Sequence, residues 1–259
     1  MILFFGYLNY GNFGDDLLLQ IASEDITDFQ TLSSKNSLLE HFFRIKTANE
    51  LVLLGGLFQD LSSIRSSLYY FSVILFAKLL GKKIKFLSTG IGPLRTNLTQ
   101  LITRLSYRLG DEVSVRDQYS SKFLKAAGIS HKLVPDLALS FKYDESLVNK
   151  EKIPQGDFYI ISINPHLSPV IASATKQSPG NNTLEIICEP SQKPNAEDYI
   201  YTKDFNTHEL IYLLKHHCKS LLTQRFHLAI LAELAGIDYS TTQDCHKVMN
   251  LSPRERFIT

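Results

Sequence analysis

Neither sign of charge predominates in this chain: 27 Lys and Arg stand against 26 Asp and Glu, a formal net charge of +1. No overall field argues for nucleic acid or an anionic membrane surface, and any anion it binds must be held by local groups. Cysteine is scarce. Cys188, Cys218 and Cys245 are odd in number, widely spaced and outside any C-x-x-C pattern, which suggests neither a disulfide framework nor a zinc site. A reducing cytoplasm suits that composition. Long apolar runs are missing too. The longest, "LYYFSVILFAKLL" from Leu68 to Leu80, includes Ser72 and Lys78 and falls short of the roughly 20 apolar residues of a membrane span, so it reads as a buried helix. The opening "MILFFGYLNYG" has no basic n-region and breaks at Gly6, too short an apolar stretch for a signal peptide.

What is present is a regular alternation. Hydrophobic residues make up 44% of the 259 positions, enough for ordinary cores. In the first half a short apolar run repeatedly enters a glycine or proline turn and then a helical segment. "ILFF" (Ile2 to Phe5) leads to "GYLNYGNFGDD"; "LVLL" (Leu51 to Leu54) leads to "GGLFQDLSS"; "KIKFLST" (Lys83 to Thr89) leads to "GIGP"; "EVSV" (Glu112 to Val115) leads to "RDQYS". Helices are expected to end at Gly81, Gly128 and Gly236, where a glycine relieves the left-handed conformation. Continuous apolar strands alternating with helices predict an α/β fold with a parallel sheet covered on both faces. Ligands bind beyond the carboxyl ends of such strands, so the four turns are expected to share one cleft. The polar segment from Lys142 to Asp157 reads as a linker, and a second α/β unit restarts at "FYIISINP" (Phe158 to Pro165). Residues 1–150 and 151–259 are thus expected to form two Rossmann-like domains, the second with about 110 residues and near the low end for a domain. Its helices are expected over Thr207–Cys218 and Arg225–Ala235.

Four places could carry chemistry. Gly6, Gly11 and Gly14 do not spell G-x-G-x-x-G, which weakens a dinucleotide reading. Asp15 and Asp16 sit where a helix should begin; they either favour the helix dipole and cap it, or hold and deprotonate a sugar hydroxyl. Two carboxylates would repel a phosphate. The turn after Leu54 sets Gly55 and Gly56 before Ser62, Ser63 and Arg65, a ready anion site if the helix starts there. Arg116 either forks onto a phosphate or carboxylate or pairs structurally with Asp117 or Asp136. In "LLTQRFHLAILAELAG", Arg225 and His227 open an otherwise apolar helix, combining an anion anchor with a group that titrates near neutrality. His208, His216 and His217 lack the spacing of a helical metal pair, so no metal is expected. Lys247, Arg254 and Arg256 form a basic tail, either solvated or a second anion contact.

The order of these motifs resembles the polysaccharide pyruvyl transferase family, which includes colanic-acid and cell-wall polysaccharide pyruvyltransferases. The carrying residues are "GNFGDD" (Gly11 to Asp16), "LLGGLFQDLSSIRSSLYY" (Leu53 to Tyr70), "AKLLGKKIKFLSTGIGPL" (Ala77 to Leu94), "VSVRDQYSSKFLKAAGI" (Val113 to Ile129), "VPDLAL" (Val134 to Leu139) and "TQRFHLAILAELAGI" (Thr223 to Ile237). The resemblance implies two domains similar to the GT-B glycosyltransferases, phosphoenolpyruvate as donor substrate with no further cofactor, and a sugar diol of a glycan precursor, lipid-linked or not, as acceptor. It implies His227 as general acid, Arg225 on the donor's phosphate or carboxylate, the Gly55–Arg65 turn and Arg116 completing the anion pocket, Lys247 matching a family lysine, and Asp15 and Asp16 facing the acceptor. It also implies a cytoplasmic protein, at most peripheral on the inner face of the membrane, without nucleic acid partners. Three departures stand out: the family's first motif usually reads G-D-E where this chain has Gly14-Asp15-Asp16, the family continues after the Arg-x-His helix with a Y-D-P-K stretch and a closing helix where this chain has "DYSTTQDCHKVMNLS", and the second domain is short between Pro165 and Leu184. A nucleotide-sugar glycosyltransferase of similar fold, and a shortened relative that binds a glycan or partner without turnover, are the alternatives.

Overall fold

The structure, a computed structural model, describes residues 1–59, 64–162, 183–188, 194, 196 and 198–241, with the backbone alone at Leu38. The chain divides into two compact units: Met1–Tyr10 with Asp15–Ser140, and Gly11–Gly14 with the chain from Phe141 onward. The short Gly11–Gly14 loop thus clusters with the second unit while its flanks belong to the first.

In the first unit the elements run β1 (Ile2–Phe5), α1 (Phe13–Ala22), β2 (Phe29–Leu32), α2 (Leu38–Thr47), β3 (Glu50–Leu53), α3 (Ile64–Leu79), β4 (Lys83–Thr89), α4 (Asn97–Arg108), β5 (Glu112–Val115), α5 (Gln118–Ala126) and β6 (Lys132–Leu133). Six strands form one sheet in the order β2-β1-β3-β4-β5-β6, and every pairing is parallel. Alternate residues of each strand serve two cores. Leu3, Phe5, Leu51, Leu53, Ile84 and Phe86 pack against Ile45 of α2, Ile74 of α3, Ile102 of α4 and Leu124 of α5. On the opposite face Phe4, Val52 and Leu54 meet Leu19 and Ala22 of α1. Each fully buried Leu or Phe contributes about 1.5–3 kcal/mol relative to exposure, which fixes the register. Polar groups set the helix starts: Ser37 and Glu40 form a capping box on α2, Thr96 caps α4 and Asp117 caps α5.

The second unit contains β7 (Phe158–Ser162), β8 (Thr183–Ile187), β9 (Asp198–Tyr201), α6 (Thr207–His217), β10 (Cys218–Thr223), α7 (Phe226–Ala235) and β11 (Tyr239–Ser240). Its sheet has the order β11-β10-β7-β8-β9 and is also wholly parallel. Asn206 and Glu209 cap α6 reciprocally. The segment expected to be a linker is folded onto α6: it forms two 3-10 turns, the Asp144 N–H donates to His208 Nδ1 at 3.0 Å, and Lys152 Nζ lies 3.5 Å from Glu209 Oε2.

The strand β10 is absent from the sequence reading, which passes from one helix to the next. Its first three positions are polar or half-exposed and only its last three are buried, so "CKSLLT" shows no full strand period. Glycines 81, 128 and 236 have φ of +72°, +66° and +71°, as their helix-ending role requires.

Candidate functional site

Because the first sheet is parallel throughout, the turns after β1, β3, β4 and β5 gather at its carboxyl edge. Gly55, at φ +78°, has no Cβ because one there would sit 2.6 Å from Asp15 Oδ1. Its carbonyl accepts from Gly90 N–H at 3.2 Å, tying the second and third turns together. Gly56 follows, half-buried in the same turn. Gly90 in turn makes room for Arg116, whose Nε would lie 2.8 Å from a Cβ there.

Helix α1 begins at Phe13, and Asn12 Oδ1 accepts the Gly14 N–H at 3.1 Å. Asn12, an acceptor at the helix start, therefore does the capping that the sequence offered to the aspartates. Asp15 and Asp16 lie in the first turn, both half-buried. Burial, with the nearby charge of Asp15 adding to it, pushes the Tyr70 hydroxyl well above its ordinary range. Desolvation raises the Asp16 carboxyl from its ordinary value, opposed by a hydrogen bond from the Asn9 backbone and by the charge of Lys35. A half-buried carboxyl held toward its neutral form is suited to exchanging a proton with a hydroxyl.

Of the two structural pairings open to Arg116, the fold takes the one with Asp136. The guanidinium NH1 donates to Asp136 Oδ2 at 2.7 Å, with 4% and 1% of the two side chains exposed. Asp117 instead caps α5, accepting from Ser120 N–H at 2.8 Å. Arg65 stands exposed in the first turn of α3, whereas Ser62, Ser63 and Lys247 lie outside the described residues.

At the carboxyl edge of the second sheet, β10 delivers the chain into α7. Thr223 Oγ1 accepts the Arg225 N–H at 2.9 Å and donates to the Ser162 carbonyl at 3.2 Å. The next amide, Gln224 N–H, also reaches the Ser162 carbonyl, at 3.0 Å. Arg225 occupies the N-cap position of α7 and makes no side-chain cap; the first-turn amides of such a helix attract anions. His227 is in that first turn, its ring edge-on to Phe226 at 5.2 Å between centroids.

Gly14 also lies against this ring. A Cβ on Gly14 would overlap the imidazole, lying 2.6 Å from Cγ and 2.7 Å from Cε1 of His227. The loop is seated there by Phe13 N–H, which donates to the Cys188 carbonyl after β8 at 3.4 Å. Two motifs from opposite ends of the sequence thus meet in the second unit. Gly14 and Thr223 escaped sequence reasoning as positioning residues; the available signal was a glycine inside a helix, unfavourable by about 1 kcal/mol against alanine unless a neighbour needs the space. Among the described residues, no group of three His, Cys, Asp or Glu could hold a metal ion.

The chain matches the description "Polysaccharide pyruvyl transferase" over residues 11–237, a span holding both motifs. No curated protein matches it. Among solved structures it is similar to the UDP-GlcNAc 2-epimerase of Methanocaldococcus jannaschii in complex with UDP-GlcNAc and UDP, at 9% identity and TM-score 0.62, covering 99% of this chain and 87% of that one. It is also similar to the UDP-N-acetylglucosamine 2-epimerase of Rickettsia bellii, at 10% identity and TM-score 0.58, covering 95% and 79%. A functionally uncharacterised Klebsiella pneumoniae protein matches at 15% identity and TM-score 0.53, covering 99% and 92%. At these identities the likeness is one of fold: two parallel α/β sheets of the GT-B kind.

Proposed function

The chain belongs to the polysaccharide pyruvyl transferase family, and from that premise we propose that it moves pyruvate from phosphoenolpyruvate to two hydroxyls of one sugar in a glycan precursor. The donor's methylene carbon takes up a proton, positive charge develops at C2, the first hydroxyl adds there, phosphate leaves, and the second hydroxyl closes the ring. The two hydroxyl protons balance the proton gained by the methyl group and the one released with phosphate.

In this reading His227 supplies the proton to carbon, a general-acid role worth about 10²- to 10⁴-fold. Nδ1 packs on Gly14, which leaves Nε2, a buried atom, to carry the proton. Arg225 and the first-turn amides of α7 take the donor's phosphate or carboxylate, with Arg65, Ser62, Ser63 and Lys247 as further anion contacts. Asp15 and Asp16 accept from the sugar hydroxyls. Arg116 supports the carboxyl edge through Asp136.

The observation that carries the reading is the seating of the Arg225–His227 helix start against the Gly11–Gly14 loop inside the matched span. Phosphate release from phosphoenolpyruvate in the presence of glycan acceptors tests it. The expected result is turnover that His227→Gln lowers by at least about 10²-fold, and that Arg225→Lys also lowers because the bidentate fork is lost. Saturating phosphoenolpyruvate should raise the melting temperature, by the equivalent of about 2.7 kcal/mol at a hundredfold excess over Kd. Stabilisation by UDP with none from phosphoenolpyruvate would overturn the reading in favour of a nucleotide-sugar enzyme.

A further inference from the structure

The outer surfaces of α2, α3 and α4 are apolar where helices packed on a sheet should turn polar groups to water. On α3, Ile64, Leu68, Leu75 and Leu79 are exposed along one stripe at helical spacing, with Leu79 76% open. On α4, Leu98, Leu101 and Leu105 repeat the pattern, and exposed Arg108 continues it. On α2, Leu39 and Phe43 are 66% and 54% exposed.

The opposite sides of the same helices carry the buried Ile45, Tyr70 and Thr103, so the stripes point away from the sheet. They are also neighbours. Helix α3 packs on α4, and Phe42 of α2 meets Phe76 of α3 at 6.0 Å between ring centroids.

Charge sorts with this surface. The three helices hold six basic residues (Arg44, Lys46, Arg65, Lys78, Arg104 and Arg108) and one carboxylate, Glu40; Lys78 pairs with Asp111, Arg44 with Glu40, and Arg104 lies over the Phe123 ring, so the charges exposed on this face, apart from Arg65 of the proposed donor contact, are those of Lys46 and Arg108. Lys46 lays its stem across the Phe42 ring, with Nζ 5.7 Å from the centroid, the posture of a side chain that keeps an apolar body and a charged tip apart.

We infer that the α2–α3–α4 face lies on an anionic lipid bilayer, with Leu and Phe side chains entering the headgroup boundary and Lys and Arg meeting lipid phosphates. A two-fold contact with a second copy would bring the same basic surface against itself. Among the described residues no helix is long and apolar enough to cross a membrane, so the contact is lateral. The inference stands on this face alone and is independent of the reaction proposed above.

Flotation of the full chain with vesicles of phosphatidylcholine, with and without about 30% phosphatidylglycerol, tests it without donor or acceptor. Binding to the anionic vesicles is expected, weakened at least about tenfold in their neutral counterparts and by about 0.5 M salt. Phe43→Ser, Leu79→Ser and Leu101→Ser combined should remove binding at least about tenfold while leaving the thermal melt in place, since all three positions are exposed. Lys46→Glu with Arg108→Glu should weaken binding to anionic vesicles alone. Failure of the wild-type chain to float, or undiminished flotation of the serine variant, overturns the inference. So does a dimer, seen by light scattering, that the serine variant converts to monomer.

Discussion

Gly14 and His227, far apart in the chain, are in such close contact that no side chain can be added at Gly14 without moving the imidazole. The atoms that must yield include Cγ, the end of the ring nearest the backbone, and Nε2 at the far end is buried, so moving the imidazole costs stability. Alanine suits a helix better than glycine by about 1 kcal/mol, which offsets part of that cost. Gly14→Ala is therefore expected to melt below wild type while staying folded at assay temperature, and to lose at least about 10²-fold in phosphate release, the scale of a 1 Å misplacement of a reacting group. Combined with His227→Gln it should add little further loss, because both changes remove one function. Turnover within about threefold of wild type in Gly14→Ala would sink the positioning role.

That contact also marks what the sequence made legible. The glycines of "GNFGDD" could be read as a turn, and Arg225 and His227 as a helix start, because local spacing reports local structure. Their meeting could not, since it rests on β10 delivering α7 to the same sheet edge as Cys188, and half of β10 lacks a buried face. Likewise β1, β4 and β5 are complete in their apolar runs, whereas Phe29–Leu32 has a single fully buried residue and leaves no strand signal. Arg116 was ambiguous for a related reason: Asp117 is adjacent in sequence, yet it points into its own helix start while Asp136 arrives from beyond β6.

The Arg116–Asp136 pair is expected to be a matter of stability. Both side chains are almost fully buried, and Asp136 also accepts from Ala138 N–H at 2.8 Å. Removing one member leaves a buried charge uncompensated, which costs about 3–5 kcal/mol. Arg116→Met and Asp136→Asn should each lower the urea midpoint accordingly, and the double variant should recover part of the loss. Single variants that melt like wild type but fail to bind phosphoenolpyruvate would instead make Arg116 a donor contact.

Thr223 offers a test of how Arg225 is held. Its hydroxyl is the acceptor for the Arg225 amide, and valine keeps the shape while deleting the oxygen. The amide then loses its partner, a penalty of about 1–3 kcal/mol, and Arg225 is released from its place at the mouth of α7. Thr223→Val is expected to raise the KM for phosphoenolpyruvate about tenfold or more, with a smaller change in kcat. An unchanged KM beside a reduced melting temperature would limit Thr223 to packing.

Asp16 links pH, stability and function. Burial raises its carboxyl pKa in the fold, so the folded chain holds the proton more tightly than the unfolded one. That contribution favours folding below the unfolded value of about 4 and is lost as pH rises through the raised folded value. At neutral pH the ionised group is therefore a liability to the fold. Asp16→Asn stays neutral at every pH. It is expected to melt at or above the wild-type temperature at pH 7, with the advantage shrinking as the pH falls from the raised folded value towards the unfolded value of about 4 and gone below it, while acceptor-dependent phosphate release is lost. Thermal melts from about pH 3.5 to 8 beside turnover assays check both halves. A lower melting temperature for Asp16→Asn at pH 7 would mean that the hydrogen bond from Asn9 outweighs desolvation, making the carboxylate a structural anchor of the Gly6–Asn12 loop.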